Sequence, residues 1–93
     1  MHKNEKLILI EGVFKNDEAR ELLMNIFSAK LTFHYQHNFS SRERFGKDDE
    51  TAQKRVPALK KEIIKLRAIL AEAEANNKMV KINSEITISL TEG

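Results

Sequence analysis

The sequence predicts an α+β domain in the order β-α-α-β, with a long antiparallel helical hairpin packed on a small sheet that contains both terminal strands. Three observations predict it. Ala52, Val56, Leu59, Ile63, Leu66, Leu70 and Ala73 recur at alternating spacings of 4 and 3, which on a helix makes one narrow apolar stripe over three heptads. Toward the C-terminus, Val80, Ile82, Ile86, Ile88 and Leu90 alternate with Lys81, Asn83, Glu85, Thr87 and Ser89, the pattern of a strand with one face on a core and one in water. Toward the N-terminus, Leu7, Ile8, Leu9 and Ile10 form a β-prone run that is apolar on both faces of the pleat.

Taken in order, strand one covers 6–14, and Gly12 marks a bulge or a close approach of backbone. Asn16 suits an N-cap, with Asp17 and Glu18 in the first turn, where the helix dipole favours acids. Ala19, Leu22, Leu23, Ile26 and Phe27 then follow at helical spacing, so a helix is expected from about 17 to 28. Continuing it would turn Lys30 toward the apolar stripe, and residues 31–36 also alternate as a short third strand would. A helix running on to about His37 is favoured, because two long helices then match in length. Residues 38–48 read as a loop, with Ser40 or Ser41 capping a short turn, Gly46 ending it, and Phe39 and Phe45 pinning it to the core. Helix two is expected over 49–76, capped by Asp48 or Asp49 and ended by Asn76 and Asn77. Pro57 lies inside it, and the apolar stripe crosses that residue in phase, so one kinked helix is preferred over a helix that starts there. Strand two covers 79–90 and is as long as helix two, so the stripe and the strand's apolar face are expected to lie along each other throughout.

Ninety-three residues make a single domain, 1–93, with a modest core. The chain is 41% hydrophobic and 32% charged, too apolar for disorder and too charged for a membrane protein. With no cysteine, disulfide frameworks and thiolate metal sites are excluded. The N-terminal apolar run is four residues, too short for a signal sequence or a span, so a cytoplasmic location without membrane contact is expected. Net charge is +2, yet 30–67 holds ten Lys/Arg against five Asp/Glu.

No Gly-rich phosphate loop, nucleophile elbow or EF-hand loop occurs, so neither an enzyme nor a cofactor is expected. His34 and His37 stand at i, i+3 and would share a helix face, but no third ligand is evident and no metal site is assigned. Phe33, Tyr35, Phe39 and Phe45 are interleaved with His34, His37, Arg42 and Arg44, a mixture suited to contact with a partner. Lys54, Lys61 and Lys65 line up on helix two opposite its apolar stripe. Leu7 and Leu9 on strand one, and Ile64 and Ile69 to either side of the stripe, leave more apolar surface than the chain covers. Two strands also leave two open edges. The expectation is a small non-enzymatic interaction or assembly module, a homo-oligomer and most simply a dimer, with a further protein partner allowed. The alternative is an accessory protein that binds nucleic acid through the basic, aromatic-interleaved 30–67 region.

Overall fold

In the computed structural model, which describes residues 4–92, the order is β1 (Asn4–Phe14), α1 (Asn16–Phe45), α2 (Glu50–Ala75) and β2 (Val80–Ser89). The strands form a two-stranded antiparallel sheet and the helices a hairpin, the α+β arrangement expected. No helix among the described residues is long and apolar enough to cross a membrane.

The sheet register explains why β1 is apolar on both faces. Phe14 pairs with Val80, Gly12 with Ile82 and Ile10 with Ser84, but Ile8 pairs with Glu85 and Leu7 with Ile86. Leu9 is therefore an extra residue, a β-bulge, and the bulge lies there rather than at Gly12. Directly opposed residues share a face, so the bulge returns Leu7 to the face of Ile10, Ile82 and Ile86. It also places Lys6 on the polar face, where its ammonium lies 3.8 Å from the Glu85 carboxylate.

α1 starts one residue earlier than its sequence suggests. Lys15 is the N-cap, and its N–H donates to the Glu18 carboxylate at 3.1 Å. The Asn16 side chain is used elsewhere, donating to the Leu70 carbonyl of α2 at 2.6 Å. The helix then runs unbroken through 31–36 and on to Phe45, so there is no third strand and no loop at 38–45. Nothing between Asn16 and Phe45 breaks a helix, and Leu31, His34 and Asn38 carry the inward stripe onward from Leu23 and Phe27. Lys30 is exposed, with its ammonium 5.0 Å from the centre of the Phe33 ring. Gly46 ends the helix in the left-handed conformation, φ 69°, and its N–H donates to the Arg42 carbonyl at 3.0 Å.

Asp49 caps α2 by accepting from the Ala52 N–H at 2.9 Å. The helix passes through Pro57 as one element, as preferred from the phase of its stripe. Asn77, at φ 51°, ends it in a Schellman motif, with the Lys78 N–H donating to the Ala73 carbonyl at 2.8 Å and the Asn77 N–H to Glu74 at 3.2 Å.

The stripe of α2 is buried at Ala52, Leu59, Ile63, Leu66 and Leu70. Most of it packs on α1, and the sheet joins only at one end, where Ile10 and Ile82 meet Ala19, Leu66 and Leu70. This corrects the expectation that β2 lies along α2 throughout. A stripe seven residues long and one residue wide serves one neighbour, and α1 is that neighbour. Beyond Ser84 the sheet's apolar face is uncovered: Ile86 is 40% exposed, Ile88 44% and Leu7 50%. The molecule is accordingly thin, 50 × 37 × 15 Å, with a radius of gyration of 16.7 Å. A compact chain of this length would have a radius of about 12 Å.

Candidate functional site

The closed end of the helical hairpin is built around Asp48. Its carboxylate accepts from the Arg42 guanidinium, from Gln53 Nε2 at 2.9 Å and from Asn38 Nδ2 at 3.3 Å. The Asn38 side-chain oxygen, Oδ1, accepts from the Asp49 N–H at 2.8 Å, and Ser41 donates its hydroxyl to the Lys47 carbonyl at 2.8 Å. The hydrogen bond from Arg42 holds the Asp48 carboxyl below the usual carboxylate range, helped by those from Gln53 and Asn38 and opposed by partial burial. The same bond raises the Arg42 guanidinium. Arg42 is thus engaged in holding the turn, whereas Arg44, also a candidate for partner contact, is exposed.

Beside this turn an open groove of about 420 Å³ is lined by Tyr35, Asn38, Asp48, Gln53, Val56 and Pro57, with Ala52 at its floor. Its walls are mainly apolar. The side chains of Asn38, Asp48 and Gln53 are already bonded to one another, and the groove holds no paired acid and base.

The aromatic and basic candidates of α1 separate into two flanks. At 100° per residue, Phe33, His37 and Arg44 share one flank and Tyr35, Phe39 and Arg42 the other. The Phe33 and His37 rings lie 4.3 Å apart and tilted by 36°. His34 falls between the flanks, faces α2 and is only 3% exposed. Its Nε2 has no hydrogen-bond partner, and burial pushes the imidazole below its ordinary value, with Lys30, Arg55 and His37 adding to the effect and Asp49 opposing it. The two histidines therefore occupy different environments. Among the described residues no cluster of three or more His, Asp or Glu is placed to hold a metal ion.

Phe39 and Phe45 were expected to pin a loop to the core, and they do not. They are 65% and 70% exposed, because the segment is helix. Phe39 points off the packed face. Phe45 keeps the inward phase but lies about two turns beyond the level at which α2 begins, where nothing stands opposite it.

Lys54, Lys61 and Lys65 are exposed along the outer face of α2, as their spacing implied. Lys65 lies 3.8 Å from Glu62 one turn away, an exposed pair that contributes little. Of the apolar interface candidates, Leu7 lies on the uncovered sheet face and Leu9 in the bulge. Ile64 and Ile69 are exposed on α2, and Ile69 borders Met79 and Val80 at the root of β2. Ile86 and Ile88 belong with Leu7, although their pattern had assigned them to the core. The signal that would have found them is the narrowness of the α2 stripe, which cannot serve a helix and a full-length strand together.

Comparison with protein-family models, with curated proteins and with solved structures finds no match to this chain.

Proposed function

We propose that the protein is a small non-enzymatic assembly module that acts by associating with a second copy of itself. One observation carries this reading. The chain exposes 7748 Å² of surface, whereas a compact monomer of 10.7 kDa exposes roughly 5,500 Å². The excess, about 2,000 Å², falls within the area that one chain of an obligate homodimer buries, about 1,000–2,500 Å². Large apolar side chains contribute to it at Leu7, Ile86 and Ile88 and again at Phe39 and Phe45. Light scattering across a range of concentrations tests the reading. The expected mass is twice 10.7 kDa, and a mass of 10.7 kDa at every concentration would refute it.

A second reading, binding to a nucleic-acid backbone, is favoured by the exposed row of Lys54, Lys61 and Lys65. The division of the aromatic residues between two flanks of α1 counts against a base-stacking platform. Titration with single- and double-stranded nucleic acid at two salt concentrations tests it. Log affinity should fall by about 0.7–0.9 per phosphate contact per log unit of salt. No binding at low salt removes this reading.

A further inference from the structure

We infer that the uncovered half of the sheet's apolar face, formed by Leu7, Ile86 and Ile88, is the surface on which the second copy docks, like half against like half about a two-fold axis. The inference rests on the assembly reading above and specifies its interface.

The core runs off the end of its own cover. Ile10 and Ile82 lie on this face and are buried at 7% and 8% exposure, and the next residues along the same face rise to 40–50%. From Phe14 and Val80 to Leu7 and Ile86 the face carries no charged residue, and Glu5, which pairs with Ile88, stands at its outer end. The opposite face carries Lys6, Glu11, Lys81 and Glu85. The bulge at Leu9 puts Leu7 on this face, with Glu5 at its outer end, and Lys6 on the other. Without the extra residue, the parity of β1 would place Lys6 on the apolar face and Leu7 on the polar one. A largely apolar face on a two-stranded sheet, which is marginal alone in water, requires apolar cover.

A second copy supplies it. The surface is apolar apart from Glu5 at its outer end, and the chain's excess exposed area matches what one chain of a homodimer buries, so a like surface on a second copy is the occupant it fits. Isologous docking covers both uncovered halves at once. Two such faces pack about 10 Å apart, as in a sheet sandwich. The other exposed apolar patches, at Ile69 and at the hairpin tip, are not continuous with a buried face of the sheet.

The test substitutes neighbours on opposite faces of β2. Ile86→Asp and Ile88→Asp place an unpaired charge in the interface and should weaken the dimer at least about 100-fold. Thr87→Asp, between them on the polar face and opposite Lys6, should leave the dimer intact. Circular dichroism establishes that each variant is folded. A second measurement does not depend on tolerating a charge. The chain has no cysteine, so Ile86→Cys and Thr87→Cys each provide one thiol. Labelling at position 86 should slow at least about tenfold as concentration rises through the dimer midpoint, while labelling at 87 stays constant. If both aspartate variants remain dimeric, or if position 86 labels as fast as 87 at every concentration, the docking face is wrong and assembly stands. If the unsubstituted chain is monomeric throughout, both the interface and the assembly reading fail.

Discussion

Truncating Leu70 tests the account of the core most directly. Its side chain is fully buried, it packs in the cluster that joins both helices to the sheet, and its carbonyl accepts the Asn16 side chain. Leu70→Ala leaves that backbone hydrogen bond in place, so the loss isolates packing. Leucine truncations in rigid cores cost about 2–5 kcal/mol, depending on how far the site collapses. Leu70 is enclosed by elements on several sides but in a thin body, which argues for the middle of that range, about 3 kcal/mol. A chain of 93 residues has a total stability of about 5–14 kcal/mol, so this is a large share of it. The melting temperature should fall by roughly 12–24 °C. Urea melts followed by circular dichroism measure the loss, at one fixed protein concentration because association would shift the midpoint. Ile64→Ala is the comparison: it is on the same helix but 68% exposed, and it should cost less than about 1 kcal/mol. A Leu70→Ala loss no larger than that of Ile64→Ala would refute the assignment of the stripe to the core.

Phe45→Ala should change stability by no more than about 0.5 kcal/mol, because the ring is exposed and meets no opposing element; a loss above 1 kcal/mol in the same urea melt would show that it is packed. Since burial lowers the His34 pKa in the folded chain, the unfolded chain binds more protons below its ordinary value of 6.5. Stability should therefore be unaffected by this group above pH 6.5 and should decline as pH falls below it, and His34→Gln should flatten that decline in melts between pH 5 and 7. Pro57 denies the Gln53 carbonyl its helical donor, so Pro57→Ala should stabilise the chain by about 2–2.6 kcal/mol, the ~3 kcal/mol helix penalty less the gain in unfolded-state freedom of about 0.4–1 kcal/mol. A less stable Ala variant would mean that the proline ring makes a needed contact in the groove beside the turn.

Element order was legible because its signals are local. The α2 stripe, the alternation of β2 and the caps at Gly46 and Asp49 all depend on a few neighbouring residues. What the sequence obscured depends on partners far along the chain. Residues 31–36 satisfy both the strand and the helix period, and only the presence of α2 beside them decides for helix. Asn16 reads as a cap by residue type, but its amide is drawn one position into the helix by a carbonyl 54 residues away. Phe39 and Phe45 suit anchors only if 38–48 is a loop, and because the segment to Phe45 is helix their orientation follows from its phase. The Leu9 bulge left one trace, the run of four apolar residues in β1, which a single-faced strand does not explain.

The two functional readings draw on different surfaces of the molecule, and this makes them compatible. β1 leads into the start of α1 and the end of α2 leads into β2, so the sheet sits at the open end of the helical hairpin. The Asp48 turn closes the other end, and a helix of thirty residues separates the two by about 45 Å. Docking through Leu7, Ile86 and Ile88 therefore leaves Phe39, Phe45 and Arg44 untouched in each copy. The Lys54 to Lys65 row faces away from α1 and is equally clear of the sheet. A dimer joined at the sheets would present two such rows. A single row of three lysines makes too few phosphate contacts to bind tightly at physiological salt. Two rows held at a fixed separation turn the second contact into an intramolecular one, which raises the overall affinity without any new residue. If both proposals hold, assembly supplies the condition under which the basic face becomes useful, and the Ile86→Asp variant is expected to lose nucleic-acid contact together with the dimer.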